Sequence, residues 1–113
     1  MFKIYHNPRC SKSRAGLAYM ESKSIQFEMV DYIKNPLSVD ELTLVFAKLN
    51  LKPSEMIRKH EEEYKTNFKD KNFTEEEWIR IFSQHPKLMN RPIVEGQYKA
   101  VWGNPIENID ELI

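Results

Sequence analysis

The sequence predicts an α/β domain built on a four-stranded mixed sheet, and three observations carry that expectation. A β-prone run at the start of the chain stops at Asn7-Pro8 and gives way directly to a helix-forming segment. A second apolar run, Ser24 to Asp31, follows that helix and completes a strand–helix–strand unit. Strand character then returns only near the end, where Pro92-Ile93-Val94-Glu95 and Tyr98-Lys99-Ala100-Val101-Trp102 flank Gly96 as a hairpin.

Each element has its own warrant. Pro8 restricts the residue before it to extended backbone, so the first strand ends there. From Ser11, the residues Ala15, Leu17, Ala18 and Met20 carry a helical pattern. In the second strand Ile25, Phe27 and Met29 alternate, and a strand–helix–strand unit of this length makes its two strands parallel. Ser38-Val39-Asp40-Glu41 has the spacing of a capping box and launches Leu42, Val45, Phe46 and Leu49; Asn50 closes that helix. Pro53-Ser54-Glu55 opens a short helical turn running through Met56, Ile57 and Arg58. Lys59 to Asn72 reads as a solvated helix and a loop, with Tyr64 and Phe68 as its apolar contacts. Thr74-Glu75-Glu76-Glu77 is a second capping box, ahead of Trp78, Ile79, Ile81 and Phe82, and His85-Pro86 ends that helix. After Gly103-Asn104-Pro105, the residues Ile106, Ile109, Leu112 and Ile113 suit a final helix against the sheet.

The order βαβ, helical stretch, ββα fits the thioredoxin-like plan with a helical insertion at about 38–85, all within a single domain spanning residues 1–113. Other α/β sandwiches share this pattern, and the cysteine at the first strand–helix junction favours the thioredoxin-like one. Seventeen acidic and seventeen basic side chains cancel, so no global field calls for nucleic acid or a membrane surface. A single cysteine cannot close an internal disulfide, which fits a reducing compartment. No apolar run is long enough to cross a bilayer, and the opening residues read as a strand rather than a signal peptide, so a cytoplasmic location is expected. His60 and His85 have no metal-ligand spacing with the cysteine, so no metal site is expected, and no glycine-rich nucleotide loop is present.

The chemistry centres on Cys10, at the junction of the first strand and helix. Unpaired amides and the positive end of a helix favour a thiolate there, and Arg9, Lys12 and Arg14 act in the same direction. Such surroundings lower a thiol from about 8.5 to roughly 3.5–7.5, which makes a nucleophile. A buried, inert cysteine is the competing reading, and the polar, cationic flanks argue against it. Ser13 is placed to donate its hydroxyl to the sulfur or to cap the helix. His6, four residues before Cys10, either tunes the thiolate or is a partly buried strand histidine. Arg91-Pro92 begins the returning strands; a cis bond there would set Arg91 beside Cys10, where a guanidinium binds an oxyanion and holds the thiolate charged. Arg58, alone among apolar neighbours in Met56-Ile57-Arg58-Lys59, is a candidate to point into the same pocket; a surface role is the alternative for both arginines. A lone thiol also means that any redox turnover must borrow a second thiol from outside.

The stretch Ile4-Tyr5-His6-Asn7-Pro8-Arg9-Cys10-Ser11-Lys12-Ser13-Arg14, together with His85-Pro86-Lys87-Leu88-Met89-Asn90-Arg91-Pro92-Ile93-Val94, closely resembles the glutaredoxin-dependent arsenate reductase family. The likeness extends over nearly the whole chain. It implies a thioredoxin-like fold, with Cys10 as the nucleophile on arsenate or another oxyanion, and Arg58 and Arg91 as anion clamps. It also implies that His6, Ser13 and Arg14 shape the thiolate environment and that Pro92 is the cis-proline. Glutathione would be the co-substrate, with no bound cofactor, and glutaredoxin the source of reducing equivalents. One position departs: arsenate-reducing members carry a third arginine just before the proline after the hairpin, and here that residue is Asn104, with Lys99 the nearest hairpin cation. Losing one charge-assisted contact costs roughly 1.5–3 kcal/mol, about tenfold to a hundredfold in anion binding. Two alternatives therefore stay open. One is a glutathione-dependent thiol reductase acting on another substrate. The other is a regulator that binds RNA polymerase, as superfamily members with a Cys-x-x-Cys switch do; Cys10-Ser11-Lys12-Ser13 lacks the second cysteine of that switch.

Overall fold

The computed structural model describes residues 2–113. Strands β1 (Phe2–His6), β2 (Phe27–Asp31), β3 (Ile93–Glu95) and β4 (Ala100–Trp102) form one sheet in the order β2-β1-β3-β4. Strand β1 runs parallel to β2, from Phe2 opposite Phe27 to His6 opposite Asp31, and antiparallel to β3, with Ile4 opposite Val94. Strands β3 and β4 pair antiparallel, and Gly96 N–H donates to the Lys99 carbonyl at 2.8 Å to close their hairpin. This is the thioredoxin-like arrangement that the element order predicts.

Alternation along β1 divides the core in two. Ile4 joins Met20, Val94, Val101 and Ile109 on the face covered by α1 (Ser11–Ser22) and by a C-terminal 3₁₀ helix (Ile106–Glu111). Tyr5 points the other way, into a larger cluster with residues of α2 (Val39–Leu49) and α4 (Glu75–Gln84). Both capping boxes form: Ser38 and Thr74 accept from the amides of Glu41 and Glu77, and those glutamates bond back to the cap amides. Each such cap contributes about 1 kcal/mol. Helix α3 (Glu62–Asn67) has no buried residue, yet its Tyr64 stacks on Trp78 and Phe68 at its C-terminal end packs against the same ring at a tilt.

The structure corrects the expected elements in four places. Strand β4 begins at Ala100 rather than Tyr98, because Gln97 and Tyr98 lie in the bend that the Gly96–Lys99 bond closes. Strand β2 begins at Phe27 rather than Ser24, because Ser24 takes a left-handed backbone (φ 55°) in the turn that ends α1. The turn opened by Pro53 ends at Met56; Ile57 is extended because it bridges to Met89, and Arg58 N–H donates to the Leu88 carbonyl at 2.7 Å. The last helix is 3₁₀ rather than α, with Asn108 N–H on the Pro105 carbonyl and Leu112 N–H on the Ile109 carbonyl.

One close approach fixes how α1 sits against the returning strands. A Cβ added at Gly16 would lie 2.7 Å from Pro92 Cγ, so only glycine lets the helix reach the start of β3. Gly103 N–H meanwhile holds the Pro92 carbonyl at 2.8 Å. Gly16→Val is expected to destabilise the fold by roughly 1–3 kcal/mol, the ordinary cost of overpacking, in urea titration. An unchanged midpoint would mean that this contact does not hold α1 in place.

Candidate active site

The site lies at the carboxyl ends of the parallel strands, where loops converge in open α/β sheets. Cys10 is the N-cap of α1, in extended backbone and half-buried; its N–H donates to the Asn7 carbonyl at 3.0 Å and its own carbonyl accepts the Arg14 amide. No side chain caps this helix, so its first amides are left for the sulfur. Burial pushes the thiol up, but the Ser13 amide, the Arg91 guanidinium and the Lys12 amide together outweigh it, and the net shift is downward. Cys10 is thus disposed to ionise.

Ser13 serves the sulfur through its backbone. Its hydroxyl, fully buried, accepts from Asn7 N–H at 2.9 Å and lies 2.9 Å from His6 Nδ1. The expectation that this hydroxyl donates to Cys10 or caps the helix is corrected, because the Asn7 amide and the His6 ring already use it. His6 is 3 % exposed at the end of β1. Burial holds its ring below the ordinary imidazole value and the Arg14 charge adds to this, while a backbone contact at Ser13 and the Asp31 carboxylate oppose it. Arg14 is exposed and ties the loop together by donating from Nη1 to the Pro8 carbonyl at 3.0 Å.

Arg91 is buried (6 % exposed), and the Arg91–Pro92 peptide is cis, as is Asn104–Pro105. Its Nη1 donates to the carbonyls of Lys87 at 2.9 Å and Met89 at 3.4 Å, while Nε is buried with no partner. Among the described residues no carboxylate pairs with Arg91. Arg58 sits nearby on the strand-like segment that bridges to Met89, with Nε donating to Glu61 at 3.1 Å and Nη2 2.9 Å from His60 Nε2.

One residue escaped the sequence reading. Tyr32, directly after β2, is buried, and its hydroxyl donates to the Met89 carbonyl at 3.2 Å, the same oxygen that Arg91 Nη1 approaches. Burial pushes its ionisation well up, against the opposing charges of Arg91 and Arg58, so the hydroxyl keeps its proton beside the thiol. Its place immediately beyond a parallel strand next to the cysteine-bearing one is the clue that was available.

Asn104 follows Gly103, which packs on Pro92, and it also lines a cleft with Leu49, Lys99 and Asn108. Lys99 is engaged by Glu111 at 3.5 Å. Among the described residues there is no cluster of metal-ligating side chains, and no helix is long and apolar enough to cross a membrane.

A lone, amide-cradled cysteine facing a buried arginine on a thioredoxin-like sheet defines a thiol-chemistry protein that handles an anion. Comparison with known proteins narrows the class. The ArsC family model matches residues 5–112. The arsenate reductase of Neisseria meningitidis is 40% identical over 113 residues, covering 98% of this chain and 97% of its own. The Escherichia coli protein YfgD is 38% identical over 113 residues, covering 98% and 95%. The structure of an arsenate reductase from Vibrio cholerae matches with a TM-score of 0.91 at 37% identity, covering 99% of this chain and 97% of that one. The chain belongs to the ArsC family.

The depressed ionisation of His6 has a consequence for stability. Unfolded His6 takes up a proton near its ordinary value of about 6.5, whereas the folded ring resists it until the pH is lower, so stability is lost as pH falls through that interval. Between about pH 7 and pH 5 the melting temperature should fall, and His6→Gln should flatten that slope. Equal slopes in the two proteins would show that His6 is not the group being titrated.

Proposed function

We propose that this protein is an arsenate reductase in which Cys10 is the nucleophile, glutathione the co-substrate and glutaredoxin the terminal reductant. The observation that carries the reading is the pairing of a thiol shifted toward its anion with a buried, carboxylate-free Arg91 whose Nε is unpartnered. Arg91 Nε and the Arg58 guanidinium would hold arsenate oxygens, and Tyr32 would help position Arg91 by bonding the Met89 carbonyl that Nη1 also approaches. His6, Ser13 and Arg14 would act by keeping the Asn7–Cys10 loop and the α1 amides in register.

The electron count supports the partners. Arsenate reduction takes two electrons, and the chain has one cysteine, so it cannot end in an internal disulfide. Cys10 Sγ attacks arsenic, and an As–O bond breaks as the oxygen leaves as water. The glutathione sulfur replaces a second oxygen in the same manner. A glutaredoxin thiolate then attacks the glutathione sulfur, the S–As electron pair passes to arsenic, and As(V) becomes As(III) as a mixed disulfide forms. Hydrolysis of the remaining S–As bond releases arsenite and restores Cys10. A single domain with residues 38–85 as the helical insertion, working in the reducing cytoplasm, completes the reading.

Asn104 favours a second reading, a glutathione-dependent thiol reductase with another substrate, because the third anion contact is missing. Coupled assays with glutathione, glutaredoxin and arsenate separate the two. Wild-type turnover that disappears in Cys10→Ser is the result expected of an arsenate reductase; a silent wild type whose Cys10 still alkylates rapidly favours the second reading. Asn104→Arg should lower the KM for arsenate by about tenfold or more, the worth of one charge-assisted contact. Tyr32→Phe should cut kcat/KM by roughly tenfold while leaving Cys10 alkylation unchanged, since it removes one hydrogen bond to the Met89 carbonyl that helps position Arg91. A Tyr32→Phe enzyme with wild-type kinetics would remove that hydroxyl from the site.

A further inference from the structure

Beside the Cys10 loop lies a cleft of about 330 Å³ lined by Asn7, Pro8, Arg9, Asp31, Ile33, Lys34 and Lys87. That size is at the lower end of the ~300–1,000 Å³ typical of small-molecule sites. Its charge is one-sided. Arg9, Lys34 and Lys87 are exposed, and among the described residues none of them enters an ion pair. The one carboxylate, Asp31, already accepts through Oδ1 from the amides of Ile33 at 3.1 Å and Lys34 at 3.0 Å. The chain as a whole is neutral, so this local excess of positive charge is a property of the cleft.

The other clefts differ in this respect. Near Gly96, Lys48 is bonded to Glu95 at 2.8 Å; near Asn104, Lys99 is paired with Glu111. The basic cleft also borders the reacting groups on two sides. Arg9 immediately precedes Cys10, and the Lys87 carbonyl holds Arg91 Nη1.

We propose that this cleft is the seat of the thiol co-substrate, binding a small thiol peptide with two carboxylates and one ammonium, namely glutathione. This assignment rests on the proposed use of glutathione as the thiol that follows Cys10. The two peptide carboxylates meet the cations of Arg9, Lys34 and Lys87, and the ammonium meets Asp31. Pro8 and Ile33 give the backbone an apolar floor, and the peptide sulfur is directed toward Cys10. The oxyanion pocket at Arg91 and the thiol cleft are then neighbouring sites that share Cys10 between them.

The test does not need arsenate. Oxidised glutathione reacts with Cys10 when the Sγ thiolate attacks one sulfur and the S–S bond breaks. Cys10 then carries a glutathione mixed disulfide, and glutathione thiolate leaves. Bis(2-hydroxyethyl) disulfide undergoes the same exchange without charge. Rates for both, followed by mass spectrometry, are compared in the wild type and in a Lys34→Glu/Lys87→Glu double variant, with Arg9 kept because it adjoins the nucleophile. The glutathione rate should fall by roughly tenfold or more, from the loss and inversion of two partly exposed charges, and added salt should slow it in the wild type. The neutral disulfide should react equally fast with both proteins. Unchanged glutathione rates, or equal slowing of both disulfides, would overturn the assignment. Glutathione selectivity in a wild type that does not reduce arsenate would retain the cleft and remove only the arsenate reading.

Discussion

The arrangement turns on a buried cation without a carboxylate. Arg91 is 6 % exposed, its Nη1 is occupied by two carbonyls, and its Nε faces no partner. Burying a guanidinium in this way is costly unless an anion shares the site. Cys10 supplies that anion when it ionises, and the Ser13 and Lys12 amides at the start of α1 lower the cost of the thiolate further. The two groups explain each other: the arginine keeps the sulfur charged, and the sulfur compensates the arginine until an oxyanion arrives.

The rest of the fold sets the distance between them. Cys10 is delivered by β1 and α1, while Arg91 is delivered by the chain returning from the helical segment to β3. Strand β1 pairs directly with β3, and Gly16 lets α1 close onto Pro92. The Tyr32 hydroxyl and Arg91 share the Met89 carbonyl, and the Ile57–Met89 bridge brings Arg58 to the same edge. Glu61 and His60 hold Arg58 through Nε and Nη2, so oxyanion capture by this arginine has to draw on its remaining N–H groups or displace those partners.

What was legible in the sequence was mostly local. Capping at Ser38 and Thr74 depends on a residue three positions on, and both boxes form as read. The position of Cys10 followed from Pro8 ending a strand and the periodic residues after Ser11. The parallel pairing of the first two strands followed from connection length alone. What escaped depends on contacts distant in sequence. Tyr32 becomes a site residue only because its hydroxyl reaches the carbonyl of Met89, 57 positions along the chain. Ile57 leaves the helical turn because Met89 pairs with it, and Ser13 turns its hydroxyl away from Cys10 because His6 and the Asn7 amide lie on its other side. No periodicity or cap in the sequence records these contacts.

The most direct measurement is the titration of Cys10 by its thiolate ultraviolet absorbance, in the wild type and in Arg91→Leu. Coupling of the thiolate to Arg91 and the helix amides predicts a wild-type midpoint below the ordinary thiol value of about 8.5, moving upward when the guanidinium is removed. A wild-type midpoint at or above that value, or one indifferent to Arg91, would contradict the account.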